Sequence, residues 1–158
     1  MEFKELMQSF AAKLGMASID IEDDFAAIEI DGMAFGFIHN PGKETLTLVA
    51  DLGQAAIDAN GEFGEVMLKS NHLYLGTNGG TLCQNPDTDA YVLMRPVPLA
   101  PLEGADTFGA IMEDVLLQVD NWRELLNGLR AAEVQEEEQS AEEGRLASGG
   151  FMQVSVKG

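Results

Sequence analysis

The sequence of 158 residues has little of what disulfide-bonded, secreted or membrane proteins need. Its single cysteine, Cys83, excludes an intrachain disulfide and a thiol-rich metal site, and is typical of a reducing compartment. Residues 1–6 have neither the basic nor the apolar region of a signal peptide, and no apolar run is long enough to span a bilayer. We therefore expect a cytoplasmic protein without membrane insertion.

Positive charge is also scarce. Nine lysine and arginine residues stand against 27 aspartate and glutamate residues, which gives a formal net charge of −18 at pH 7. Such a chain repels phosphate backbones and anionic lipids, which argues against nucleic acid and membranes as partners. Hydrophobic residues nevertheless make up 46% of the sequence, enough to fill a core and leave apolar surface for a partner. The composition favours a protein that binds other polypeptides.

Motifs for catalysis or for binding a cofactor or metal are missing. His39 and His72 are isolated from Cys83 and from paired carboxylates, so these residues do not show the spacing of a metal site or a catalytic site. The acidic segment 20–24 lacks the glycine and closing glutamate of a calcium loop, and residues 76–80 lack the Lys-Ser or Lys-Thr that follows a phosphate-binding loop. We expect no enzyme, no cofactor and no metal, and we assign Cys83 to packing.

Hydrophobic spacing predicts an α+β fold in which helices flank an antiparallel sheet, in the order α-β-β-β-α-β-β-α. Asp31-Gly32 predicts a tight hairpin, Gly15 the end of the first helix, and Pro96 the end of the last strand. The predicted elements are a helix over 3–14, strands over 25–30, 33–38 and 45–50, a helix within 54–75 that is formed from about residue 62, strands over 81–84 and 91–94, and a long helix over 106–130.

The composition divides the chain into a domain over residues 1–130 and an acidic tail over residues 131–158. The tail is rich in glutamate, alanine and serine, which bury too little apolar surface to offset the entropy lost on ordering. We therefore expect it to be mobile. Its last part, residues 151–156, alternates apolar and polar side chains, which suits a strand added to a sheet edge in the same molecule or another.

The stretch 71–83, NHLYLGTNGGTLC, resembles the second helix, Asn-Gly-Gly turn and following strand of the class I type III secretion chaperones, the family that includes the Tir chaperone. The resemblance continues through residues 91–99 and the Asp120-Asn121-Trp122 stretch of the long helix. With the element order, it extends over about residues 1–130.

The resemblance implies a homodimer that binds the N-terminal segment of a secreted effector in extended form and keeps it soluble and competent for secretion. The residues that we expect to contact the effector are Phe3, Phe10, Leu14, Ile28, Phe35 and Phe37, although alternating strand residues must also fill the core. The family pattern places the dimer interface at Val66, Met67, Leu73, Tyr74 and Leu82. An intracellular interaction module of the same fold, without a role in secretion, is the alternative.

Overall fold

The structure, a computed structural model, describes residues 2–54 and 61–149, with all their side chains except those of residues 133 and 146–149. Three α-helices and six strands form within these ranges, and a short 3-10 helix, His72–Tyr74, follows the second α-helix. The helices are α1 (Phe3–Lys13), α2 (Glu62–Asn71) and α3 (Ala105–Gly149). The strands are β1 (Ile21–Glu22), β2 (Phe25–Ile30), β3 (Met33–Asn40), β4 (Thr45–Gln54), β5 (Thr81–Gln84) and β6 (Ala90–Pro98).

All six strands form one antiparallel sheet in the order β1-β2-β3-β4-β6-β5, which confirms the α+β prediction. The predicted hairpin joins β2 to β3, with Ile30 opposite Met33. Asp31 and Gly32 have φ values of 52° and 74°, the left-handed conformation that a tight hairpin turn requires of both residues. This turn fixes which residues of β2 and β3 face each other.

The first helix ends at the predicted glycine. The Met16 N–H donates to the Ala11 carbonyl and the Gly15 N–H donates to the Ala12 carbonyl, both at 3.0 Å. Gly15 adopts a φ of 77°, so this is the motif in which a left-handed glycine closes the last helical turn. It directs the chain away from α1 toward β1.

The core lies between one face of the sheet and helices α1 and α3. At its centre three fully buried phenylalanine rings, one from each layer, are in contact. The Phe108 ring centroid lies 4.9 Å from that of Phe10 and 6.0 Å from that of Phe37. Edge-on and tilted contacts of this kind add to the free energy of burial. These rings hold both helices on the sheet.

The strands extend further than the sequence predicts. β6 continues through Pro96 to Pro98. This is possible because β5 pairs only with residues 91–94 of β6, so no strand lies beside Pro96 on the β5 side to receive a hydrogen bond from it. A proline is tolerated in a strand where its missing N–H has no partner to lose. Gln54, predicted to lie in the second helix, belongs to β4, which continues past an irregularity between Asp51 and Gly53.

Helix α3 also differs from the prediction, because it does not end near Arg130 but continues to Gly149. Residues after Arg130 are mostly Ala, Glu and Gln, which favour helix, and they extend a helix that is already nucleated. The described side chains of residues 131–145 are all exposed. The predicted strand over residues 151–156 lies outside the described residues. No helix in the described ranges combines the length and apolar character needed to cross a bilayer.

Candidate interaction surfaces

One edge of the sheet is closed by a side chain. The Asn71 Nδ2 donates to the Leu82 carbonyl at 2.9 Å, and the Leu82 N–H donates to Asn71 Oδ1 at 2.8 Å. The amide of Asn71 therefore occupies both backbone groups with which Leu82 would bind another strand. This contact also ties the end of α2 to β5.

We predict that Asn71→Ala lowers the free energy of unfolding by about 1–3 kcal/mol, because it leaves the half-buried N–H and C=O of Leu82 without their hydrogen bonds. Chemical denaturation followed by circular dichroism measures this loss. Asn121→Ala, at an exposed position on α3, is the control and should change stability by less than about 0.5 kcal/mol. Equal effects of the two substitutions would contradict the assignment.

The opposite edge of the sheet is open. The His39 N–H donates to the Asp24 carbonyl, so the backbone groups of Asp24 and of every second residue after it point toward β3. The backbone groups of the residues in between, Phe25, Ala27 and Glu29, therefore point outward. Strand β1 pairs only with Phe25 and Ala26. The N–H and C=O groups of Ala27 and Glu29 therefore have no strand partner in the described part of the chain. They form an edge to which a further strand can be added.

Beside this edge, the face of the sheet that points away from the core carries exposed apolar side chains. Phe25 and Ile38 lie opposite each other on β2 and β3 and are 46% and 44% exposed. The Phe25 ring lies close to Gly36, where a Cβ atom would come within 3.4 Å of it. Val49 and Met94, both half-buried, continue the row from Gly36. We call these five residues the outer patch.

A second apolar surface covers the end of α2 and the 3-10 turn after it. Leu68 and Leu75 are 75% and 80% exposed, and Leu73 and Tyr74 are exposed as well. Leu73 and Tyr74 also have φ values of 52° and 57°, which non-glycine residues adopt at a cost. Four large exposed apolar side chains so close together indicate a contact surface. We call them the α2 patch.

A groove of about 540 Å³ runs between α2 and β5, next to the α2 patch. Its lining is mainly apolar and includes Met67, Leu68, Leu82 and Cys83. Burial raises the pKa of the Cys83 thiol, which keeps it protonated at neutral pH and supports the packing role assigned from the sequence. Within the described ranges no three His, Cys, Asp or Glu side chains are grouped to hold a metal ion.

The Asn-Gly-Gly turn after the α2 patch is held by a polar cluster on α3. The Asp114 carboxylate accepts hydrogen bonds from Asn78 and Gln118, each at 3.0 Å, and from Arg95 of β6. Asn78 and Gly79 have positive φ values, which allow the sharp turn into β5. Asp114 thus fixes the turn against both the sheet and the long helix, and with it the position of the α2 patch.

This fold of one sheet with flanking helices has known relatives. Residues 5–123 match the family model of the Tir chaperone protein (CesT) family. The chain belongs to this family. The match to the family confirms the resemblance inferred from residues 71–83 and from the order of elements. No curated protein gives a significant match to the sequence.

Solved structures share the fold of this CesT family member. A chain of the ExsC–ExsE complex is 20% identical with a TM-score of 0.69, over 80% of this chain and 97% of that one. A chain of the HopA1–SchA chaperone–effector complex is 21% identical with a TM-score of 0.64, over 77% and 93% of the two chains. The structure of the Yersinia pestis type III secretion chaperone SycH with a fragment of YscM2 gives 14% identity and a TM-score of 0.59, over 77% and 99%.

The structure of this CesT family member buries five of the six side chains that we expected to contact an effector. They lie on the core face of the sheet or on the core side of α1, and Leu14 alone is exposed; the five are Phe3, Phe10, Ile28, Phe35 and Phe37. In this conformation they have no surface to offer a partner. Phe25 and Ile38, which we did not select, lie on the opposite face because strand side chains alternate.

The residues expected at the dimer interface divide in a similar way. Leu73 and Tyr74 belong to the exposed α2 patch, whereas Met67 and Leu82 are buried and Val66 is half-buried beneath it. Sequence reasoning missed Leu68 and Leu75, the two most exposed residues of the patch. The sequence does contain a signal for Leu75. Leu73, Tyr74 and Leu75 are three apolar residues in succession, more than one face of a helix can bury.

Proposed function

We propose that this protein is a type III secretion chaperone that binds the N-terminal segment of a secreted effector in extended form and keeps it soluble and competent for secretion. Membership of the Tir chaperone family supports the class of function. The observation that carries the mode of binding is the open edge at Ala27 and Glu29, which lies next to the apolar outer patch. Together they suit an extended polypeptide better than a folded partner.

In this proposal the effector segment adds a strand beside β2. Its backbone bonds to the N–H and C=O groups of Ala27 and Glu29, independently of its sequence. Every second side chain of the added strand then lies on the same face as Phe25 and Ile38, where apolar side chains are favoured. Backbone pairing supplies affinity, and the outer patch selects which segments bind.

The charge of the chain supports the same role. A net charge of −18 on each copy opposes aggregation of molecules that carry exposed apolar patches, and it attracts segments that carry lysine or arginine. We place this activity in the cytoplasm, before secretion, and assign no catalytic step to it. Binding requires no nucleotide or metal, because backbone pairing and apolar contact provide the interaction.

We further propose that two copies associate through the α2 patch, with Leu68 and Leu75 of each copy packed against the groove between α2 and β5 of the other. The groove has the volume to take large side chains, and the same surface serves both copies in a symmetric dimer. Light scattering should then give twice the chain mass of 17.0 kDa. Phe25 and Ile38 of the outer patch lie on β2 and β3, separated from β5 by β4 and β6, and stay available.

The test is capture of an effector segment by a variant with a charged outer patch. We predict that Phe25→Asp with Ile38→Asp weakens binding of a co-expressed effector N-terminal segment about 100-fold, since two apolar contacts of about 1.5 kcal/mol each are lost. Isothermal calorimetry of the purified complex components, or the soluble yield of the segment on co-expression, measures the effect.

Val134→Asp with Leu117→Asp is the matched control, because both positions are exposed apolar residues on α3, outside the outer patch. This control should bind the segment as the parent protein does. Unchanged binding by the Phe25, Ile38 variant, with its circular dichroism spectrum intact, would show that effectors bind elsewhere.

A further inference from the structure

Helix α3 carries the chain well away from the sheet. Its last described contact with the sheet is at Arg130, whose guanidinium donates to the carbonyl of Gln54 at the end of β4. The helix continues from there to Gly149, and the described side chains of residues 131–145 are exposed. At 1.5 Å per residue, Gly149 lies about 28 Å beyond Arg130 along the helix axis. Whatever follows Gly149 therefore starts far from the domain.

The sequence that follows has the pattern of a strand. In residues 150–158, GFMQVSVKG, the side chains of Met152, Val154 and Val156 would share one face, and those of Phe151, Gln153 and Ser155 the other. This stretch contains Lys157 and no acidic side chain, in a chain of net charge −18. It is therefore an apolar segment with one basic side chain, joined to an acidic helix.

These residues cannot reach the open edge of their own domain while α3 is helical to Gly149. Two residues separate Gly149 from Met152 and span at most about 7–10 Å, whereas the sheet lies about 28 Å back along the helix. The same distance places the segment well within reach of a neighbouring molecule. The helix thus acts as a spacer that favours contact between copies over contact within one copy.

We propose that residues 151–155 of one copy add as an antiparallel strand to the open β2 edge of a second copy. Met152 and Val154 then lie on the core face of the sheet, opposite Ile30 and Ile28 of the second copy, and the added strand ends where Ile21 of β1 already pairs with Ala26. Gln153 and Ser155 lie on the outer face, opposite the outward-pointing Ala27 and Glu29. The carboxylate of Glu29, which is exposed, attracts the basic segment. The segment protects the edge until a stronger ligand displaces it.

Binding of a synthetic peptide to the full chain tests the proposal. The receptor is the full chain with Val154→Asp and Val156→Asp, which disables its own segment, and the probe is a fluorescent peptide of residues 150–158. In the pairing above, the N–H groups of Gln153 and Ser155 donate to the edge and those of Met152 and Val154 point away. N-methylation of Gln153 and Ser155 should therefore weaken binding about 30-fold, and N-methylation of Met152 and Val154 less than about threefold.

The control for charge alone is the same receptor with a further Val134→Asp substitution, or with Gln153→Asp and Ser155→Asp. It should bind the parent peptide as tightly as the receptor without these further substitutions. No saturable binding of the parent peptide, equal loss for both methylated peptides, or the reverse order would overturn the proposal. No effector takes part in these measurements, so their failure leaves the proposed chaperone function standing, and failure of effector capture leaves this proposal standing.

Discussion

The double variant Leu68→Glu, Leu75→Glu is expected to be a monomer of 17.0 kDa at concentrations where the parent protein is a dimer. Both side chains are at least three-quarters exposed in the single chain, so the substitutions leave the core intact. In the proposed dimer they would place four carboxylates in an apolar interface between two strongly negative copies. We expect the dimer dissociation constant to rise at least about 100-fold, since each buried leucine contributes about 1.5–3 kcal/mol. Analytical ultracentrifugation over a concentration series measures this change.

Val134→Glu is the control for this prediction, because it adds the same charge at an exposed apolar position on α3 beyond the last contact with the sheet. It should leave the dissociation constant unchanged. A Leu68, Leu75 variant that remains dimeric would move the interface to another surface. Loss of the dimer in both variants would mean that net charge, and not the α2 patch, governs association.

Truncation of Phe37 to alanine is expected to destabilise the fold by about 3–5 kcal/mol. Its ring is fully buried against Phe10 and Phe108, so its removal leaves a cavity in the core. Denaturant unfolding, with the slope fixed by the parent protein, measures the loss. For a domain of this size the melting temperature should fall by roughly 6–20 °C.

Phe25→Ala is the matched control, because it removes the same ring from the opposite face of the neighbouring strand, where it is 46% exposed. Its cost should stay below about 1.5 kcal/mol, while its effect on effector capture should be the larger of the two. Similar losses of stability for the two variants would contradict the assignment of Phe37 to the core and Phe25 to the surface.

Local features of the fold follow from the sequence. The Asp31-Gly32 turn and the Gly15 helix end depend on a few adjacent residues whose backbone preferences are strong, and both occur as predicted. The order of helices and strands follows from hydrophobic spacing in the same way. Only the two-residue strand β1 gives no signal, because it is too short to show alternation.

The side of the sheet that faces outward does not follow from the same patterns. Phe35 and Phe37 alternate with Gly36 and Ile38, and strand spacing shows that the two sets lie on opposite faces but not which face α1 and α3 cover. That choice depends on contacts between residues distant in sequence, such as Phe10 with Phe108. The sequence therefore favours the larger aromatic residues as binding residues, whereas the structure places them in the core.

Burial does not determine where α3 ends, because the described side chains of residues 131–145 are exposed. Their composition suits both a mobile acidic tail and an exposed helix, and the structure shows the helix. What decides between the two is continuity with a helix already anchored by Phe108, Val119 and Leu126.

The amide of Asn71 has a consequence for assemblies of many copies. With Leu82 occupied and β5 only four residues long, the β2 side is where this sheet is most readily lengthened. If two molecules meet through their β2 strands, the joint sheet has a blocked border at each end and accepts no third molecule. A protein that must receive unfolded strands from others is thereby kept from stacking into an endless ribbon of its own.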